Sequence, residues 1–109
     1  MSQETKVVVV ATVEVKPGSE EAVQALLETV ITHTHTEEGN ISYALHRDFE
    51  QPGRFVMVER WASREALEEH FTKPYMAELF AALPEHVSAP PVIIRTEPVP
   101  LGGAAKGVL

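Results

Sequence analysis

Five histidines, one tryptophan and two tyrosines are the side chains best suited to moving protons or facing a ring, and cysteine is absent. Without cysteine there are no disulfides, thiolate nucleophiles or cysteine-ligated metals. His70 stands apart from the other histidines because helical spacing puts it on one face with Leu67 and Phe71. A polar ring on an apolar face needs a partner. Either a backbone carbonyl or Glu59 satisfies it, or the ring lines a pocket as a general acid or base, for which an ordinary pKa of about 6.5 is well placed. Glu59 and Trp61 alternate with Met57 and Phe55 on one side of the apolar run just before that helix. Phe55 and Met57 read as core, whereas Trp61 needs a partner for its indole N–H and suits a wall that meets a ligand. Tyr43 and His46 fall on opposite faces of the preceding strand, so at most one of them joins the same cavity. His33 and His35, two apart on a helix, point in different directions and read as surface residues rather than joint metal ligands. His86 reads as a solvent-facing cation near a helix end. No metal site is expected.

The elements that must position these groups are legible from periodicity. Val7 to Val15 is dense in β-branched residues and reads as a strand, stopped by Pro17-Gly18. Ser19 is placed to cap a helix whose apolar stripe is Ala22, Val23, Leu26, Leu27, Val30 and Ile31, and which should end before Gly39. Ile41 to Arg47 and Phe55 to Trp61 read as an antiparallel pair joined through Gln51-Pro52-Gly53. Ser63 is a second N-cap, with Glu65 in the first turn, and Pro74 opens a third helix striped by Met76, Leu79, Phe80 and Leu83. Pro90-Pro91 introduces a last strand, Val92 to Thr96. Residues 1–97 form one domain, and 98–109 read as a C-terminal tail, an arm or frayed end rich in Gly and Ala.

Strand, helix, strand, strand, helices, strand is the order of an α+β, ferredoxin-like split βαβ fold, an antiparallel sheet with helices on one face. Valines stand on both sides of the first strand, so a second apolar face is left over. A second copy of the chain is the expected cover, giving a homodimer. The 109 residues suffice for one modest core, and the net charge of −7, with no basic cluster, argues against nucleic acid or an anionic membrane as partner. The N-terminal Met1 to Lys6 lacks the apolar stretch of a signal peptide, and no run approaches the roughly 20 apolar residues of a membrane span. A cytoplasmic location is expected.

Short motifs run through most of the chain: Val15 to Gly18, the turn Glu37 to Gly39 followed by Tyr43, Glu59 to Trp61, Ala66-Leu67, His70, and Pro74-Tyr75. In this set the chain resembles the antibiotic biosynthesis monooxygenase family from about Val7 to about Thr96. The resemblance implies a dimeric α+β barrel with a cavity between sheet and helices. It also implies, for members that are oxygenases, a reaction without metal, flavin or haem, in which a deprotonated dihydroxyaromatic substrate reduces oxygen directly. His70 is then the expected catalytic group. Trp61, Glu59, Met57, Phe55, Phe71, Tyr75, Phe80 and Ala11 are expected to bind a small aromatic or quinol-type substrate, with no cofactor. Relatives that degrade haem have an Asn, a Trp and a His where approximate matching puts Ala11, His70 and Phe80, which disfavours haem here. Relatives that isomerise phosphorylated keto compounds would need basic residues, for which Arg95 and Lys73 are the candidates. A non-enzymatic ligand-binding or stress-response dimer of the same fold is the competing class.

Overall fold

The structure is a computed structural model and describes residues 6–109, so the expectation about the extreme N-terminus lies largely outside the described residues. Its elements are β1 (Val7–Glu14), α1 (Glu20–Thr34), β2 (Asn40–Arg47), β3 (Arg54–Trp61), α2 (Arg64–His70), α3 (Pro74–Ala82), β4 (Val92–Thr96) and a one-turn α4 (Ala104–Gly107). The four strands form one sheet in the order β2-β3-β1-β4, antiparallel throughout, with helices packed on one face. This is the ferredoxin-like α+β fold expected from the order of elements. The sheet is open, with β2 and β4 at its edges. Among the described residues no helix is long and apolar enough to cross a membrane.

Burial decides which side of each strand is the core. On β1 the odd-numbered Val7, Val9 and Val13 are buried under the helices, and they meet Val23, Leu27 and Val30 of α1 and Met76 and Leu79 of α3. β3 alternates with period two, Phe55, Met57, Glu59 and Trp61 inward and Val56, Val58 and Arg60 outward. The outward face has a wholly apolar central row, because register places Ala44, Val58, Val10 and Ile94 side by side. Val92 and Ile94 on that face are each about half exposed, and among the described residues no element covers it.

Local chemistry departs from expectation at one helix start, that of α1, and at the tail. Ser63 caps α2 as expected, its hydroxyl accepting from the Ala66 N–H at 3.1 Å. Ser19 occupies the N-cap of α1 but makes no side-chain cap bond, because its backbone is not in the extended conformation that aims the hydroxyl at the helix. Glu20 takes the nearby role, its Oε1 accepting from the Gly18 N–H at 2.9 Å, while Ser19 Oγ lies 3.2 Å from His86 Nδ1. His86 is therefore packed against the start of α1 rather than turned to solvent. α4 places one helical turn in the tail that carried no periodic signal, and Val99, Leu101 and Leu109 around it are exposed.

Candidate active site

Strand register builds the floor of a cavity between the sheet and α2–α3. Leu45, Met57, Ala11 and Ile93 lie in one row across all four strands, and Tyr43 lies beside Glu59 in the next. Phe71, Met76, Leu79 and Phe80 close it from above, and His70 reaches it from the end of α2. The enclosed space is small, about 40 Å³, against roughly 10–15 Å³ for a single water. Its walls are apolar apart from Tyr43, Glu59 and His70, and neither Lys nor Arg lines it.

Of the residues expected to meet a substrate, His70, Glu59, Met57, Phe55, Phe71, Phe80 and Ala11 line this cavity. Trp61 and Tyr75 do not. Trp61 is fully buried behind the wall, its ring 4.7 Å from that of His70, and its indole N–H donates to Glu59 Oε1 at 2.9 Å. The partner that Trp61 requires is thus a carboxyl two residues away on the same face of the same strand. Tyr75 is drawn outward to the turn after α1, where its hydroxyl donates to Glu37 Oε2 and its ring stacks on His33 at 4.9 Å. Between Tyr43 and His46, it is Tyr43 that faces the cavity, while His46 is exposed and bonds the Ala44 carbonyl at 3.1 Å. His33 and His35 are not idle surface residues either, since His35 Nε2 donates to the Tyr43 carbonyl at 3.0 Å. The last turn of α1 runs alongside both β2 and α3, which brings these rings into contact.

The partner of His70 is neither backbone nor Glu59. Nδ1 lies 2.8 Å from Glu37 Oε2, and both side chains are almost wholly buried. Glu37 is acceptor-only when ionised, so it selects the tautomer with the proton on Nδ1 and leaves a lone pair on Nε2. Nε2 is buried and has no hydrogen-bond partner among the described residues. Burial pulls the His70 pKa down, and the Glu37 bond opposes that only in part. The ring is therefore neutral at neutral pH, with one nitrogen oriented and the other unspent. Burial lifts Glu59 to about 7; the Trp61 bond holds it down and the Glu37 charge pushes it up. Burial likewise raises the Tyr43 and Tyr75 phenols, with nearby carboxylates adding to the rise.

Glu37 is the residue of this candidate site that periodicity does not single out. Its signal was present, in the Glu37 to Gly39 turn, but nothing local told that this carboxylate would cross 33 positions to meet His70. Gly39 explains the other half of that turn: a Cβ there would lie 2.4 Å from the Ala66 Cβ, so only glycine lets α2 come this near.

A four-stranded antiparallel sheet with helices on one face, and an apolar, histidine-tipped cavity beneath them, defines a small ferredoxin-like α+β domain. The chain belongs to the antibiotic biosynthesis monooxygenase family, whose profile matches residues 6–82. It is similar to Rv0793 of Mycobacterium tuberculosis, 33% identical with a TM-score of 0.83, the match covering 87% of this chain and 96% of that one. It is also similar to YcnE of Bacillus subtilis, 31% identical over 84% of this chain and 96% of that protein. Protein SO0527 of Shewanella oneidensis has the same fold at 30% identity and a TM-score of 0.81, with 88% and 92% of the two chains covered.

Proposed function

We propose that this protein is a cofactor-independent monooxygenase acting on a small aromatic or quinol-type substrate, working as a cytoplasmic homodimer with His70 as proton acceptor. The observation that carries this reading is the unpartnered Nε2 of His70, held in an apolar cavity by a carboxylate on the opposite ring nitrogen. A hydroxyaromatic placed there would give its O–H proton to Nε2, and the resulting imidazolium would be stabilised by Glu37. The electron-rich anion left in the cavity is the species that reduces oxygen. Membership of the monooxygenase family supports this choice among the reactions a buried histidine could run.

The cavity must widen for such a ring to enter. Phe71 and Phe80 stack with centroids 6.4 Å apart, and Phe80 is 39% exposed, so turning the Phe80 ring outward is the least costly way to open the roof. A phosphorylated substrate fits poorly. Arg95 is spent over the face of Phe71 at 4.8 Å, and Lys73 lies by Glu69 at 3.7 Å on the surface. A carboxylate behind the ring stabilises the imidazolium as well as the orientation of Nε2, which suits proton transfer better than binding alone and favours the enzyme over that alternative.

Oxygen uptake with a panel of naphthoquinols and anthrones tests the reading. Wild-type protein should turn over at least one of them, and His70→Ala should lose on the order of 10²-fold while keeping its melting temperature within a few degrees. Full activity in that variant would remove His70 from the mechanism.

A further inference from the structure

We propose that Glu59, in its neutral form, donates a hydrogen bond to a second oxygen of the bound substrate, so that His70 accepts the proton and Glu59 holds the anion. This deepens the reading above and rests on it for the role of His70. The geometry is specific. Glu59 is 4% exposed and lines the cavity together with His70. Its Oε1 is fixed by the Trp61 indole, and among the described residues that is the carboxyl's one hydrogen bond. The other oxygen is left for a ligand. Trp61 cannot serve as the donor itself, because its single N–H is already committed.

The groups that face Glu59 come from every neighbouring element. Tyr43 stands opposite on β2, Val9 opposite on β1, His70 comes from α2 and Glu37 from the turn after α1. None of them is a cation at neutral pH, and Arg95, beyond Val9 on β4, is turned onto Phe71. Nothing nearby favours the carboxylate except the Trp61 bond, and burial brings the carboxyl to about 7. A carboxylic acid kept neutral by an apolar site is an effective donor to an oxyanion. No bond to Glu59 is made or broken; the proton stays on the carboxyl and the hydrogen bond strengthens as charge develops on the ligand oxygen. The substrate class narrows accordingly to rings carrying two oxygen functions, one to lose a proton to His70 and one to be held by Glu59.

The test is anaerobic binding of 4-methoxy-1-naphthol, which is neutral across the range and offers one hydroxyl for His70 and one ether oxygen that can only accept, read by fluorescence of the single tryptophan. Wild-type affinity should fall about tenfold as pH rises from 6 to 8, since Glu59 ionises across that interval. Glu59→Gln, which keeps a donor that does not titrate, should bind with nearly constant affinity over the same range. Glu59→Leu should bind at least tenfold more weakly at pH 6, and Tyr43→Phe should follow wild type. A wild-type pH profile in Glu59→Gln overturns the proposal. So does Glu59→Leu binding as tightly as wild type, a Tyr43→Phe loss in its place, or no binding by wild type at any pH. His70→Ala separates the two readings: if it keeps the 6-to-8 profile yet loses no oxygen uptake, the role of Glu59 stands and that of His70 falls.

Discussion

In the proposed reaction His70 works only as well as Glu37 holds it. The carboxylate fixes the tautomer and favours the imidazolium, so Glu37→Gln, which keeps the shape but removes the charge, should lower turnover about tenfold to a hundredfold. The acid limb of the rate profile should move to lower pH in the same variant, because the charge opposing the depression of the His70 pKa is gone. An unchanged limb, read from oxygen uptake between pH 5 and 7, would mean that Glu37 serves packing alone. Glu59 has an opposite and thermodynamic signature. Its pKa is raised on folding, so between about 4.5 and about 7 the unfolded chain is ionised where the native one is not, and stability falls as pH rises through that window. Glu59→Gln should remove that fall and end more stable relative to wild type at pH 8 than at pH 5, by on the order of 2 kcal/mol in chemical denaturation. That Trp61 would need a polar partner was readable from its type. That the partner would be Glu59, turning the tryptophan from a substrate wall into a support for the wall, depends on rotamers that spacing does not encode.

Element identities followed from period and punctuation, as with β3, where Phe55, Met57, Glu59 and Trp61 alternate against Val56, Val58 and Arg60. β1 shows the limit of that logic, since valines on both faces leave the buried side undecided until the helices land on it. The contact between α2 and the turn before β2 was equally hidden, although it sets the distance from Glu37 to His70. Gly39 donates no side chain to that contact, and its carbonyl accepts from the Ala62 N–H at 2.9 Å. Gly39→Ala would drive a methyl group into Ala66 and push α2 outward, costing about 1–3 kcal/mol of stability. Activity should fall further than stability alone explains, because the displaced helix takes His70 away from Glu37. Adding Ala66→Gly should restore both in thermal melts and oxygen uptake; a double variant no better than the single one would show that the turn itself, not the close approach, is what alanine disturbs.

The whole molecule has a second apolar surface that its own helices never reach. Ala44, Val58, Val10 and Ile94 run across the outer face in one row, flanked by Val56 and Val92, and faces of this kind are seldom left to water. A second copy meeting this face sheet to sheet would bury it on both sides, and such an interface should exceed roughly 1,000 Å² in total. Each chain brings a net charge of −7, so the pairing has to be driven by the apolar row, and added salt should strengthen it by screening the repulsion. Sedimentation at micromolar concentration should therefore show a dimer, and a lone 12.0 kDa species would refute it. Val10→Asp places a charge at the centre of the row and should give monomers that aggregate or unfold. Ile94→Lys is the cleaner test, because Ile94 sits on the edge strand and is half exposed in the single chain, so the change spares the fold. It should yield a folded, soluble monomer by sedimentation and circular dichroism, and a variant that still sediments as a dimer would place the interface elsewhere.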